Sequence, residues 1–319
     1  MKSEARESFG KDIPMSGSKI LVSLTTKDND YQRAQASAIE SVARRMNANI
    51  EIIYADNDAV NQSQQILSAI QKKNNDLCAV ITEPCGTGMT QVAETAAKAG
   101  LAWGVLNREI DYARRLTQSY GVPVFEVSVD QVAVGQMHAA QLGKLIPSGG
   151  NVLYVEGPAA HSAAKLRTQG FMARKPANLE LKVLKGNWTE ESGYKTVSSW
   201  MKLSTSKSQG FTAVLVQNDA MALGVRKALS ELSDLNERSA WLSLPILGCD
   251  GLPETGQQYV RRGQLTCTAV CPLAAPIALE MYLKAKSTHT GVPERTLAPP
   301  TSFPALEILK PLTLTAAQR

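Results

Sequence analysis

Thr212-Ala213-Val214-Leu215-Val216-Gln217-Asn218-Asp219-Ala220-Met221-Ala222-Leu223-Gly224 changes texture at Gln217. Thr212–Val216 is a β-rich apolar run without strict alternation, the pattern of a strand covered on both faces. Gln217, Asn218 and Asp219 then place planar polar groups at its end. Taken singly, Asn and Asp at such a place turn the chain or cap a helix as readily as they touch a ligand.

The same strand-like texture recurs on both sides of this stretch. Before it come Lys19–Leu24, Ile50–Tyr54, Leu77–Thr82, Ala102–Leu106, Pro123–Val127, Asn151–Val155 and Leu179–Leu184; after it come Leu244–Leu247 and Leu265–Val270. Between most of these runs the apolar residues fall at helical spacing. Tyr31, Ala34, Ala38, Val42 and Met46 form one stripe; Ile66, Leu67 and Ile70 form another, and Val132, Gly135, Ala139 and Leu142 a third. Repeated strand–helix–strand units imply parallel sheets with right-handed crossovers. The ten runs overshoot an eight-stranded barrel. Asp111–Gly121 lacks an apolar stripe, so Pro123–Val127 reads as a crossing segment rather than the next barrel strand. The expected fold class is therefore α/β, with two doubly wound lobes. Residues 1–18 and 311–319 read as loosely held tails.

Composition narrows the function. The 319 residues are 44% hydrophobic and 20% charged, with a formal charge of +5 spread along the chain. That argues against a direct nucleic-acid binder, which gathers its charge on one face. No apolar run is long enough to insert in a membrane. Cys78, Cys85, Cys249, Cys267 and Cys271 are an odd set, and none neighbours His138, His161 or His289, so they read as free thiols rather than a disulfide framework or a zinc site. Residues 1–19 hold no apolar core of a secretory signal. As written the chain reads as cytoplasmic; a processed or trimmed form would be periplasmic.

In open α/β sheets ligands bind beyond the carboxyl ends of the strands. There this sequence places Thr25–Tyr31, Glu83–Gly88, Asn107-Arg108-Glu109, Gly157–Arg167, Asn187-Trp188-Thr189, Gln217-Asn218-Asp219, Cys249-Asp250-Gly251 and Cys271. Amides and charges pair with vicinal hydroxyls, and an aromatic face covers the C–H side of a sugar ring. No cofactor is called for. Gly86-Thr87-Gly88 lacks the third glycine of a dinucleotide loop, which is Gln91, and neither a nucleophile elbow nor a Walker loop is present.

The run Gln217–Gly224, followed by Gly248-Cys249-Asp250-Gly251, resembles the type I periplasmic sugar-binding proteins of the ribose-binding kind and the related effector domains of LacI-type repressors. Leu106-Asn107-Arg108 and Ser162–Arg167 through Gly170-Phe171 add to the resemblance, which spans residues 19 to about 290. It implies Rossmann-like lobes joined by a three-segment hinge. The first would be residues 19–127 plus 271–292 and the second 128–270 plus 293–310. The implied ligand contacts are Asn29, Tyr31, Glu83, Asn107 and Arg108 from the first lobe. Lys165, Trp188, Asn218 and Asp250 would come from the second, with Cys271 at the last hinge crossing. Asn107 stands where the family has Asp, Lys165 where it has Arg, Cys249 where it commonly has Phe and Cys271 where it has an amide. These departures fall where ligand identity is decided.

The resemblance implies a non-catalytic binding protein that closes on a sugar, polyol or similar molecule by hinge motion and delivers it to an ABC permease or a sensor. A cytoplasmic ligand sensor without its own DNA-binding headpiece is the alternative, since the residues before the first strand show no helix pair. An enzyme of doubly wound fold is the third reading, and no motif asks for it.

Overall fold

The computed structural model describes residues 18–72, 76–87, 89–203 and 210–311. The ten expected strands all form. β1 (Lys19–Leu24), β2 (Asn49–Tyr54), β3 (Leu77–Thr82), β4 (Ala102–Leu106) and β5 (Val124–Val129) make one parallel sheet in the order β2-β1-β3-β4-β5. β6 (Gly150–Glu156), β7 (Leu179–Lys185), β8 (Phe211–Val216), β9 (Ile246–Asp250) and β10 (Cys267–Val270) repeat that order in a second. Each sheet therefore reverses its winding beside its first strand, the point at which a doubly wound sheet opens a crevice.

Eleven helices connect the described strands: α1 (Asp30–Arg45), α2 (Ala59–Gln71), α3 (Thr90–Lys98), α4 (Ala113–Tyr120), α5 (Gln131–Leu145), α6 (Ser162–Arg174), α7 (Glu190–Met201), α8 (Asp219–Ser230), α9 (Leu235–Leu242), α10 (Gly256–Arg261) and α11 (Ala274–Thr288). Many begin where a polar residue accepts from the first free N–H groups. Asn29 caps α1, Asp58 α2, Asp130 α5, Thr189 α7 and Asn218 α8. Successive strand residues feed opposite faces. Ile20, Val22 and Ile81 meet Ile39 and Leu279 on one side of the first sheet, while Leu21, Val80 and Trp103 meet Ile66 and Val92 on the other. In the second lobe Leu153 and Val214 meet Val197 and Val225, and Tyr154 and Leu215 meet Leu142 and Phe171. Each such fully buried side chain contributes about 1.5–3 kcal/mol.

Four expectations need correcting. Asp111–Gly121 contains a helix, α4, in which only Ala113 and Leu116 are buried; Gly121, at φ 69°, closes it. β5 is a full member of the first sheet and reaches Val129 before the chain crosses. Residues 293–298 stay with the first lobe, because β11 (Arg295–Ala298) pairs in parallel with β5. Pro299 and Pro300, which cannot donate to a ladder, then end the strand. Only β12 (Thr301–Phe303) joins the second sheet, antiparallel to β10. The third crossing thus lies between Ala298 and Thr301, and Cys271 marks the second crossing rather than the last. The tails 1–17 and 312–319, and Gly88, lie outside the described residues.

Candidate functional site

The strand ends of both lobes line one cleft of about 870 Å³, a volume that includes solvent at its mouth. On the first-lobe side a buried amide fixes the loops. Gln62 Nε2 donates to Ser23 Oγ, Thr82 Oγ1 and Glu83 O (3.1, 3.3 and 2.9 Å), and its Oε1 accepts from Cys85 N at 2.9 Å. Glu83 accepts from Asn107 Nδ2 at 3.2 Å and Gln35 Nε2 at 3.4 Å, and lies 3.6 Å from Arg108 NH1. Asn107 adopts φ 54°, a left-handed turn that Asn tolerates, and Arg108 NH1 donates to its carbonyl at 2.8 Å. Among the described residues the buried Nε of Arg108 has no hydrogen-bond partner. Tyr31 donates its hydroxyl to Pro272 O at 3.1 Å, and burial raises that hydroxyl's pKa well above its usual range.

Gln217 plays the corresponding part in the second lobe. Its Oε1 accepts from Gly157 N at 2.8 Å, and its Nε2 donates to Tyr154 Oη, Thr168 Oγ1 and Ala164 O (2.6, 3.0 and 3.1 Å). Trp188, at φ 64°, covers Gly157 so closely that a Cβ there would lie 2.2 Å from its ring. Arg167 stands 5.5 Å over the Trp188 ring, donates to Gln131 Oε1 at 2.7 Å and to Gln217 O, and lies 3.9 Å from Asp250 Oδ1. The helix carrying it is pressed against α5. A Cβ on Gly135 would sit 2.0 Å from Arg167 O, and one on Gly170 2.0 Å from Val132 O, so only glycine permits this approach. Burial raises the Asp250 carboxyl to about 7 against the pull of Arg167, helped by the Glu83 and Asp30 carboxylates. Asp219 serves the fold, accepting from Gly251 N and Thr268 Oγ1, both at 2.8 Å.

Several bonds run from one lobe to the other. Trp188 Nε1 and Arg108 NH2 can only donate, so His161 Nδ1, 2.8 and 3.3 Å away, must accept from both. His161 Nε2 then carries the proton and donates to Cys85 O at 3.0 Å. Burial, with Arg108 beside it, lowers the His161 pKa to about 4 and keeps the ring neutral. Asn29 Nδ2 donates to Trp188 O at 3.4 Å, and Glu109 N to Ser162 Oγ at 3.3 Å. Through these contacts the lobes close on the cleft.

Asn29, Tyr31, Glu83, Asn107, Arg108, Trp188, Asn218 and Asp250 line the cleft together. Lys165 does not: it is exposed on α6, while Ala163, Ala164, Arg167, Gly170 and Phe171 form the buried face. Arg167 supplies the cation expected of Lys165. Cys271 also stays out of the lining; it is buried against Cys249, with the two Sγ atoms 3.4 Å apart. Cys249, Cys271 and Asp250 bring their ligand atoms within 4.8 Å of one another. His161 and Arg167 are site residues that sequence reasoning did not single out. The spacing of α6 carries the signal for Arg167, four residues after Ala163 and three before Gly170.

The profile of the periplasmic binding protein domain matches residues 20–274. The chain belongs to that family. Relatives include the D-apiose import binding protein of Actinobacillus succinogenes, 23% identical over 278 residues that cover 84% of this chain and 83% of that one. The xylitol-binding protein of Mycolicibacterium smegmatis is 26% identical over 70% of this chain and 59% of its own. Among solved structures, a periplasmic solute-binding protein of Actinobacillus succinogenes with bound D-allose superposes with a TM-score of 0.74 at 20% identity, covering 89% of this chain and 96% of the other. A solute-binding protein of Bacillus halodurans with bound myo-inositol gives 0.72 at 21%, with coverages of 90% and 94%. These likenesses establish the two-lobed fold, and the relatives' names are those of binding proteins. No helix among the described residues is long and apolar enough to cross a membrane.

Proposed function

We propose that this protein is a non-catalytic solute-binding protein that closes its lobes on a small neutral polyhydroxylated ligand, a sugar or polyol, and presents it to an ABC permease for uptake. The observation that carries this reading is the charge balance of the cleft. Arg108 is matched by Glu83, and Arg167 faces Asp250, whose carboxyl ionises near pH 7, so the site has donors and acceptors in plenty, no surplus of negative charge to recruit an amine and at most one positive charge to spare. The unmatched Nε of Arg108 leaves a buried donor that costs about 1–3 kcal/mol until something accepts from it. Trp188 offers an apolar face to a ring. The relatives that import D-apiose and bind xylitol fit the same chemistry. On this reading Asn29, Tyr31, Asn107, Asn218 and Trp188 contact ligand, with Arg167 in place of Lys165. Work beside a permease would place the protein in the periplasm, which fractionation of cells expressing the full-length gene product checks.

A thermal-shift panel of D-apiose, D-ribose, D-allose, xylitol and myo-inositol, with amino acids and nucleosides as controls, tests the proposal. A ligand at 100 times its Kd adds about 2.7 kcal/mol of stability, a shift of several degrees in a midpoint. Shifts confined to amino acids or nucleosides, or none at all, would overturn the carbohydrate reading.

A further inference from the structure

The apolar plug that joins the lobes at the hinge holds two thiols. Tyr31 and Val129 reach it from the first lobe, and Val134 and Leu252 from the second, and they pack around Cys249 and Cys271. Cys249 is fully buried and Cys271 is 3% exposed, with their Sγ atoms 3.4 Å apart. The pair stands diagonally on neighbouring strands: Cys249 faces Ala269 in the ladder, and Cys271 N donates to Asp250 O at 2.9 Å just beyond it. Cys249 is thus fixed in β9, while Cys271 belongs to the second crossing, which must flex when the lobes part. The Asp250 carboxylate lies close enough to make a three-ligand cluster, but Arg167 interacts with both thiols and with that carboxylate. A guanidinium there opposes a bound cation and pulls the Cys249 thiol down, but burial outweighs it and holds that thiol well above its ordinary range, so the thiolate that starts disulfide exchange forms once the hinge opens and admits water.

We infer that Cys249 and Cys271 are a redox modification site at the hinge, which a small-molecule disulfide such as oxidised glutathione converts to an intramolecular disulfide. One thiolate attacks the oxidant's S–S bond and releases its first thiol; the second thiolate attacks the mixed disulfide and releases the other. Two electrons and two protons pass to the oxidant, which leaves as two thiols. A disulfide needs its sulfurs about 2.05 Å apart, so Cys271 must be drawn toward β9, and the second crossing moves with it. Both thiols are closed off in the plug, so the oxidant reaches them as the lobes open. Cys267 is on the same face of β10 but farther from the hinge, opposite Leu247 and packed with Tyr154, and takes no part.

The test equilibrates the full chain in glutathione buffers of increasing oxidised fraction and follows titratable thiols, intact mass and a non-reduced peptide map. The expected result is a fall from five free thiols to three. The mass should drop by two hydrogens, a single cross-linked peptide should join Cys249 to Cys271, and dithiothreitol should reverse all three changes. Solution scattering of the two forms should give different radii of gyration. Five thiols retained in fully oxidised glutathione, a stable glutathione adduct on either cysteine, or a bridge between other cysteines would overturn the inference. So would stoichiometric zinc held by the pair. The wild-type chain carries the whole measurement, and Cys249→Ala and Cys271→Ser should each abolish the cross-link.

Discussion

Replacing His161 by alanine should open the ligand-free protein. The imidazole crosses the cleft twice, through Nε2–H to Cys85 O at 3.0 Å and by accepting from Arg108 NH2 at 3.3 Å. A neutral hydrogen bond contributes a net 0.5–1.5 kcal/mol and one from a charged donor about 1.5–3 kcal/mol. Arg108 keeps its bonds to Asn107 O and Glu83 in the variant, so the loss across the lobes should be near the lower end, about 2 kcal/mol. That shifts the ratio of closed to open forms by roughly 30-fold. Small-angle scattering of the ligand-free protein should show a larger radius of gyration. Calorimetry with whichever sugar the panel identifies should show affinity weakened by up to that same factor, because closure must now be driven by the ligand. His161→Gln retains one donor and one acceptor and should fall between wild type and alanine. If His161→Ala matches wild type in radius of gyration and binds within twofold, the imidazole does not hold the lobes together and the reasoning fails.

Two perturbed groups of the cleft, His161 and Asp250, should oppose each other in pH. His161 takes a proton at about 4 when folded and near 6.5 when unfolded, so its contribution to stability is lost as pH falls between those values. Asp250 holds its proton to about 7 when folded and to 3.8 when unfolded, so its contribution is lost as pH rises through that span. Relative to wild type, denaturant stability should therefore fall with pH between about 4 and 6.5 in His161→Gln and rise with pH in Asp250→Asn; parallel profiles in all three would contradict the assignment. Arg167→Lys should weaken ligand binding at least tenfold by giving up a charge-assisted fork of about 1.5–3 kcal/mol, while Lys165→Ala should stay within about 0.5 kcal/mol of wild type in stability and affinity. The reverse order in calorimetry would restore Lys165 to the site. Gly157→Ala puts a Cβ 2.2 Å from the Trp188 ring; a stability loss of about 1–3 kcal/mol with binding lost is expected, and an unchanged affinity would show that Trp188 does not touch ligand.

How far the fold could be read from sequence depends on how much each segment buries. β1, β3, β6 and β8 are sandwiched between helices, so their residues are apolar on both faces and stand out as runs. α4 buries only Ala113 and Leu116 in eight residues, too few to draw a stripe. β11 and β12 are short edge strands whose residues are mostly exposed or half-buried; they exist because β5 and β10 offer them an open edge, and that is a property of the assembled sheets. The placing of the third crossing rests on β11 and was lost with it.

The site was legible to the extent that it is made of strand ends. Asn29, Glu83, Asn107, Arg108, Trp188, Asn218 and Asp250 each lie at the end of a strand or in the loop that follows it, and topology delivers them to one cleft. Arg167 comes instead from within α6, and its position depends on which way that helix is rotated. Matching the motif residue by residue chose Lys165, whereas the pattern Ala163, Ala164, Arg167, Gly170, Phe171 turns Arg167 inward and Lys165 out. His161 was legible only as a histidine without nearby cysteines. Its role depends on Cys85, Arg108 and Trp188 arriving from three separate strand ends, and no spacing along the chain encodes that meeting. Of the two residues that sequence reading missed, Arg167 works within the second lobe, beside Gln131, Gln217 and Asp250, and His161 works between the lobes. His161 holds the protein shut and so has most influence on how it responds to ligand.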